Sequence, residues 1–258
     1  MSLVGLKKKF LLIFLTLSCC FFNSAYAHSS LSISPELSSV WQSRNEFRIP
    51  GDGGTLVDVA RENSGPSLGF RVYLSYAWGE SKHEIRGLYA PLSITATTRF
   101  AEAVRFLDNT FSAGAETEAF YKFNSYRLGY TYFLDPMGRW TLGLGFTCKI
   151  RDAEIRLTQG ETVASKKNIG FVPLLRFQAL GSLGENSRVR FDIDGLAAPQ
   201  GRAFDATIRF ESNLAYFGAG HSLWGFLGYR TVEGGADNDE VYNFAWFHSV
   251  SLGVYAEF

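Results

Sequence analysis

Residues 188–194 read Arg-Val-Arg-Phe-Asp-Ile-Asp, with charged and apolar side chains in strict turn. Successive side chains of a β-strand point to opposite faces, so this stretch folds as a strand with one charged face and one apolar face. A helix would scatter both kinds around its circumference. The same period recurs over 204–211, over 126–132, and over 68–76, where Leu68, Phe70, Val72, Leu74 and Tyr76 share a face. About ten such segments run along the chain, and roughly eight to twelve strands are compatible with the pattern. They lie near 31–48, 67–78, 82–97, 118–134, 139–157, 168–183, 187–196, 203–216, 222–233 and 241–258.

Composition agrees with an all-β chain. Aromatic residues make up 16%, and 26 Gly stand against 7 Pro, a balance that suits strands and turns. Hydrophobic residues make up 46%, and 25 Lys+Arg balance 25 Asp+Glu. The first figure excludes a disordered chain, and the second excludes a basic nucleic-acid-binding surface.

The first segment is of another kind. Lys7, Lys8 and Lys9 precede an apolar run over 10–22 that is shorter than the about 20 residues of a membrane-spanning helix. Ala25-Tyr26-Ala27 then offers small residues at a cleavage site. Residues 1–27 therefore read as a secretory signal peptide cut after Ala27, leaving one domain over 28–258. A lipoprotein signal at Cys20 is the rival, but Cys19 directly before it is a poor match. Cleavage removes three Lys and no acid, so 22 bases and 25 acids remain, and Cys148 is left without a disulfide partner.

Connections after the even-numbered segments are short, as in Gly79-Glu80-Ser81-Lys82, Asp135-Pro136-Met137-Gly138 and Gly184-Glu185-Asn186. Those after the odd ones are expected to be longer, at 49–66, 98–117, 158–167 and 234–240. Short turns on one side, long loops on the other and an even strand count are the plan of a transmembrane barrel. In that plan the apolar face meets lipid, with aromatics such as Trp78, Tyr89, Tyr132, Trp140, Tyr229, Tyr242 and Trp246 gathered near the strand ends. The chain ends in Phe258, with Ala256, Val254, Leu252 and Val250 on the same parity. This resembles the C-terminal strand of small Gram-negative outer-membrane β-barrels, where a terminal aromatic is part of the assembly signal. Over 28–258 the resemblance implies a closed antiparallel transmembrane β-barrel in the outer membrane. It also implies contact with outer-membrane lipid and lipopolysaccharide, and assembly by the barrel-assembly machinery through the strand ending in Phe258.

Parity then assigns the lumen. Arg71, Glu84, Arg86, Arg127, Arg176, Arg188, Arg190, Asp192, Asp194, Asp205, Arg209, Glu211 and Arg230 point inward, as do Lys149 and Arg151. The faces are expected to switch near Ala90-Pro91 and near Arg151-Asp152, where a β-bulge would re-aim the strand. A barrel of this size leaves little bore once long side chains enter it. Arginines and carboxylates confined there should pair, because a lone buried charge is costly. An ion-pair filling is the expectation, and a gated or narrow polar pore is the alternative.

Asp192 and Asp194 could serve acid–base chemistry, but Arg188 and Arg190 share their face and charge pairing explains them more simply. Omptin-type outer-membrane proteases set an Asp pair against Asp-x-His. Ser81, Ala219 and Trp246 stand two residues before His83, His221 and His248, so that second half is missing. His248 is expected to face lipid near the outer leaflet. Lipid A deacylase barrels carry Ser two residues after such a His, and here that residue is Val250, so the match needs a bulge to re-aim Ser249. No cofactor or metal is expected: 234–240 is acidic but lacks EF-hand spacing, and no Lys-Ser/Thr follows Gly51-Asp52-Gly53-Gly54. No catalytic residue is assigned. The expected role is structural or surface-interacting, without catalysis, with a narrow channel and a lipid-active enzyme as alternatives. A soluble partner is left open, and nucleic acid is not expected.

Overall fold

The computed structural model describes residues 29–258 apart from Ala219. The strands in chain order are β1 (Ser30–Arg48), β2 (Val57–Asp58), β3 (Ser67–Trp78), β4 (His83–Ala90), β5 (Ser93–Arg99), β6 (Val104–Phe106) and β7 (Asn109–Phe111). After them come β8 (Glu116–Phe133), β9 (Trp140–Gln159), β10 (Thr162–Ser182), β11 (Ser187–Ala198), β12 (Gly201–Tyr216), β13 (Ser222–Asp237) and β14 (Tyr242–Glu257). One short helix, α1 (Val59–Glu62), follows β2 and is capped by Asp58, whose carboxylate accepts from the Ala60 amide.

Each wall strand pairs antiparallel with its neighbours, and β1 pairs with β14 to close the barrel. Closure leaves ten staves: β1, β3, β4 continued by β5, and β8 to β14. The short connections fall where expected. The expected loop at 158–167 is instead strand, since β9 and β10 stay paired up to Gln159 and Thr162 around Gly160 and Glu161. Val163 and Ile169 on that ribbon are exposed apolar residues, so the outward apolar face continues into it.

The exterior carries a belt that includes Leu74, Leu128, Leu144, Phe146, Leu175, Leu227 and Leu252, all exposed. Burial of such a belt requires hydrocarbon, and a closed barrel is the β-structure that leaves no unpaired edge in it. No described helix is long and apolar enough to cross a membrane. Aromatics flank the belt, with Tyr76, Tyr132 and Trp140 toward the turn rim and Trp41, Tyr89, Tyr126, Tyr229 and Trp246 toward the loop rim. Trp140 lies flat over Gly181, where an added Cβ would come within 2.7 Å of the ring.

Neither expected face switch occurs. Ala90 faces Ser125 and Ser93 faces Lys122 in one unbroken register across the Pro91 interruption. On the β8–β9 seam, Glu118 opposite Thr158 and Phe133 opposite Gly143 likewise belong to one register. What inverts is the chemistry. Above the belt the outward face becomes polar, with Lys122 and Asn124 bonded to Asp152. The hydrogen bond from Lys122 holds the Asp152 carboxyl below the usual carboxylate range. The inward face there turns apolar, with Ile94, Ala96, Ile155 and Leu157 buried. In sequence this exchange is indistinguishable from a parity change.

The inner face is apolar there because loops fold down into the barrel. The β6–β7 hairpin and the β2–α1 segment supply Val57, Val59, Val104, Phe106 and Phe111 to a core completed by wall residues including Phe47, Tyr121, Leu157 and Phe247. Phe106 meets Phe47 edge to face at 5.4 Å between ring centroids. Backbone bonds from Leu107 N–H to the Ile49 carbonyl and from Thr55 N–H to the Arg105 carbonyl tie the two inserts together. The hydrophobic content is thus a lipid coat and, in the loop half, an interior core as well.

Candidate functional site

Below this core lies a layer of charge. The structure places all thirteen residues assigned by parity inside the barrel: Arg71, Glu84, Arg86, Arg127, Arg176, Arg188, Arg190, Asp192, Asp194, Asp205, Arg209, Glu211 and Arg230. Arg127 is the centre, reaching Asp194 at 3.0 Å and Asp205 at 2.6 Å. Arg230 takes the other Asp205 oxygen at 2.6 Å, and Arg71 stands 3.6 Å from the same carboxylate. Arg176 bridges Asp194 at 2.9 Å and Asp192 at 3.5 Å, and Arg86 joins Asp192 at 3.0 Å to Glu84 at 3.1 Å. Arg188 and Arg190 share Glu211 at 2.6 and 3.0 Å. Ser75, Ser125 and Thr131 accept the Nε–H groups of Arg86, Arg127 and Arg176, and Gln178 donates to Asp192.

Glu36 belongs to this layer and was missed in the sequence. It lies 3.5 Å from Arg209 and 3.6 Å from Arg230. The signal was present, because Leu31, Ile33 and Leu37 alternate with Ser32, Ser34, Glu36 and Ser38 along β1. Even with Glu36 there are six carboxylates for eight arginines. Aromatic rings take up the surplus: Arg209 lies over Tyr73 and Phe226 at 5.0 and 4.8 Å, and Arg188 over Trp224 at 4.0 Å. A desolvated cation over a ring is stabilised by roughly 2 kcal/mol. Void within the layer amounts to about 20 Å³, room for about one water.

Lys149 differs from these arginines. It is buried, has no carboxylate within 4.0 Å among the described residues, and rests on the Phe123 ring at 4.7 Å. It lines a cavity of about 300 Å³ at the side of the barrel, together with Tyr121, Phe171, Pro173 and Leu196. The cavity exists because the wall steps down there. β10 pairs with β11 only as far as Leu175 opposite Gly195, while its other edge stays paired with β9 to Thr162. Pro173 and Lys167 lie on the bare edge, and such residues discourage further strand pairing.

The acidic segment 234–240 forms no metal cluster, and no group of three or more acidic, His or Cys residues suited to a metal occurs among the described residues. Asp192 and Asp194 are absorbed in ion pairs.

His248 lies on the lipid-facing wall beside Trp246, with the two rings 5.3 Å apart. Ser249 is buried inward and does not approach it. The bulge sits on the neighbouring strand instead: β1 and β14 run in register to Gln42 opposite Phe247, and then Arg44, not Ser43, faces Trp246. The extra residue, Ser43, turns its Oγ to within 3.0 Å of His248 Nε2, and His248 Nδ1 lies 2.7 Å from Tyr229 Oη. Ser43 and Tyr229 were not assigned from sequence. Ser43 is 205 residues from His248, and no local pattern announces a bulge at that point.

No protein-family model matches the chain, and no curated protein matches it. Among solved structures it is similar to the outer-membrane protease OmpT of Escherichia coli, at 10% identity and a TM-score of 0.49, over 92% of this chain and 99% of that one. It is also similar to the translocator domain of the autotransporter NalP of Neisseria meningitidis, at 11% identity and 0.43, over 97% and 95%. A third is Ail, the attachment invasion locus protein of Yersinia pestis, crystallised with a heparin analogue, at 11% identity and 0.38, over 89% and 99%. At such identities no role passes from them to this chain.

Proposed function

We propose that this chain is a non-conducting outer-membrane barrel that works through its exterior and its loop rim, as a structural or surface-interaction protein. The observation that carries this reading is the double filling of the bore. A paired layer around Arg127 with about 20 Å³ of void lies under an apolar core around Phe106 and Phe111. The void lined by Val40, Phe123, Arg127 and Phe247, between the two fillings, measures about 40 Å³. Ion passage needs a continuous wet path, and an apolar constriction of this kind excludes water. In this reading the turn rim is periplasmic and the belt contacts outer-membrane lipid and lipopolysaccharide. The strand ending in Phe258 engages the assembly machinery.

Planar bilayer recording tests it. Protein shown to be folded and inserted, by its heat-dependent gel mobility and by protection of the belt from protease, should give no conductance steps above the protein-free baseline. Steady steps whose size scales with salt would establish the narrow-channel alternative in its place.

A further inference from the structure

A hydroxyl 3.0 Å from an imidazole nitrogen, with the other nitrogen 2.7 Å from a phenol, is an unusual grouping for a lipid-facing wall. Residues there need only be apolar, and polar groups among them cost free energy unless satisfied. Three wall strands contribute one group each: Ser43 from β1, His248 from β14 and Tyr229 from β13. Trp41 stands opposite His248, and Ser43, two residues further along β1, shares its outward face diagonal to His248. Bulges such as the one at Ser43 occur next to active sites. The bulge also leaves Arg44 opposite the outward-facing Trp246, its guanidinium held by Glu46 at 2.9 Å and by Tyr242 Oη at 2.7 Å. Trp41, Tyr229 and Trp246 set the height of the group at the aromatic band between hydrocarbon and headgroups. That is the level at which an acyl chain meets the ester linking it to its polar head.

We propose that Ser43, His248 and Tyr229 form a serine acyl-hydrolase site on the outside of the barrel, acting on carboxylic esters of acylated amphiphiles in the adjoining leaflet. With its Nδ1 proton donated to Tyr229 Oη, His248 presents the Nε2 lone pair to the Ser43 hydroxyl. Ser43 Oγ attacks the ester carbonyl carbon as His248 takes the Oγ proton. The tetrahedral intermediate collapses, its C–O bond to the alcohol breaks, and His248 returns the proton to the leaving oxygen. The acyl group then sits on Ser43. Water attacks it with His248 again as base, releasing a free carboxylic acid and restoring the Ser43 hydroxyl. Tyr229 is a positioning residue that fixes the tautomer and orientation of the ring. A phenol does this without a full negative charge, which suits an ester better than the less reactive amide. The inference is independent of whether the lumen conducts.

The folded full chain in phosphatidylcholine vesicles is treated with a fluorescent fluorophosphonate, and separately with 4-nitrophenyl palmitate and 4-nitrophenyl acetate. The expected result is a single label on the peptide bearing Ser43, with palmitate released faster than acetate. Positioned general base catalysis supplies about 10²–10⁴-fold, so H248N should lose at least about 100-fold in kcat/KM. S43A should lose both label and turnover, and S249A should keep both. Y229F should lower kcat with KM unchanged. All variants must retain the heat-dependent gel mobility of the folded barrel. Absence of label and hydrolysis in the folded wild type, or hydrolysis that survives in S43A, overturns the proposal. Equal rates on acetate and palmitate overturn the assignment to amphiphiles.

Discussion

Asp205 is the position at which the charged layer is most exposed to test. Its two oxygens take Arg127 and Arg230 at 2.6 Å each, Arg71 stands at 3.6 Å, and the residue is 4% exposed. Asp205→Asn keeps the shape and one acceptor oxygen. It removes the negative charge and turns an NH₂ group toward guanidinium donors that cannot accept. Breaking a buried pair by removing one partner costs about 3–5 kcal/mol, because the remaining charge is left without compensation. The retained carbonyl offsets part of this, so about 3–4 kcal/mol is expected. With a urea dependence of about 2 kcal/mol/M, the unfolding midpoint in phospholipid vesicles should fall by about 1.5–2 M. Tryptophan fluorescence and far-ultraviolet circular dichroism should give coincident curves, as a single transition requires. D205N combined with R230M should show a coupling of at least about 1 kcal/mol, as groups in one network do. Asp135, paired with Lys82 in an exposed turn at 2.7 Å, supplies the control: its Asn variant should leave the midpoint unchanged. A loss below about 1 kcal/mol for D205N would mean that water reaches these charges freely, and the closed-layer argument would fail with it.

Two further substitutions test the neighbouring regions by the same titration. Lys149→Met should not destabilise and should gain about 1 kcal/mol, since it removes a buried cation that has no carboxylate partner and keeps the packing on Phe123; a loss of that size would show that an unrecognised anion holds Lys149 in place. Phe106→Ala should cost about 3–5 kcal/mol through the cavity left between Phe47 and Phe111, and it should quicken amide exchange in the β6–β7 hairpin while the layer around Arg127 stays protected. Exchange that quickens equally in both regions would show that core and charged layer unfold as one unit.

What could be read from the sequence depended on how far each interaction reaches along the chain. Alternation is local, so the strands, the short turns and the inward parity of Arg188, Arg190, Asp192 and Asp194 were all legible within a few residues. Glu36 was legible by the same rule, had the parity of β1 been carried through its serines. The contents of the loop half were not, because the inward-facing Ile94, Ile155 and Leu157 are apolar only on account of a hairpin that folds in from 104–111. A pattern of polar and apolar residues reports the environment of a face, and in most barrels environment and direction coincide. Here an inserted core reverses the environment without reversing the direction, and the reversal imitates a bulge at Arg151-Asp152 where the register is continuous. The true bulge at Ser43 leaves no such trace. Both Ser43 and Arg44 are polar residues beyond the belt of β1, so an extra residue there breaks no alternation. Its effect shows only where β1 closes against β14, across the seam that joins the two ends of the sheet. Closure thus creates the Ser43–His248 contact, and for that reason a site on this seam could be found only in the closed structure.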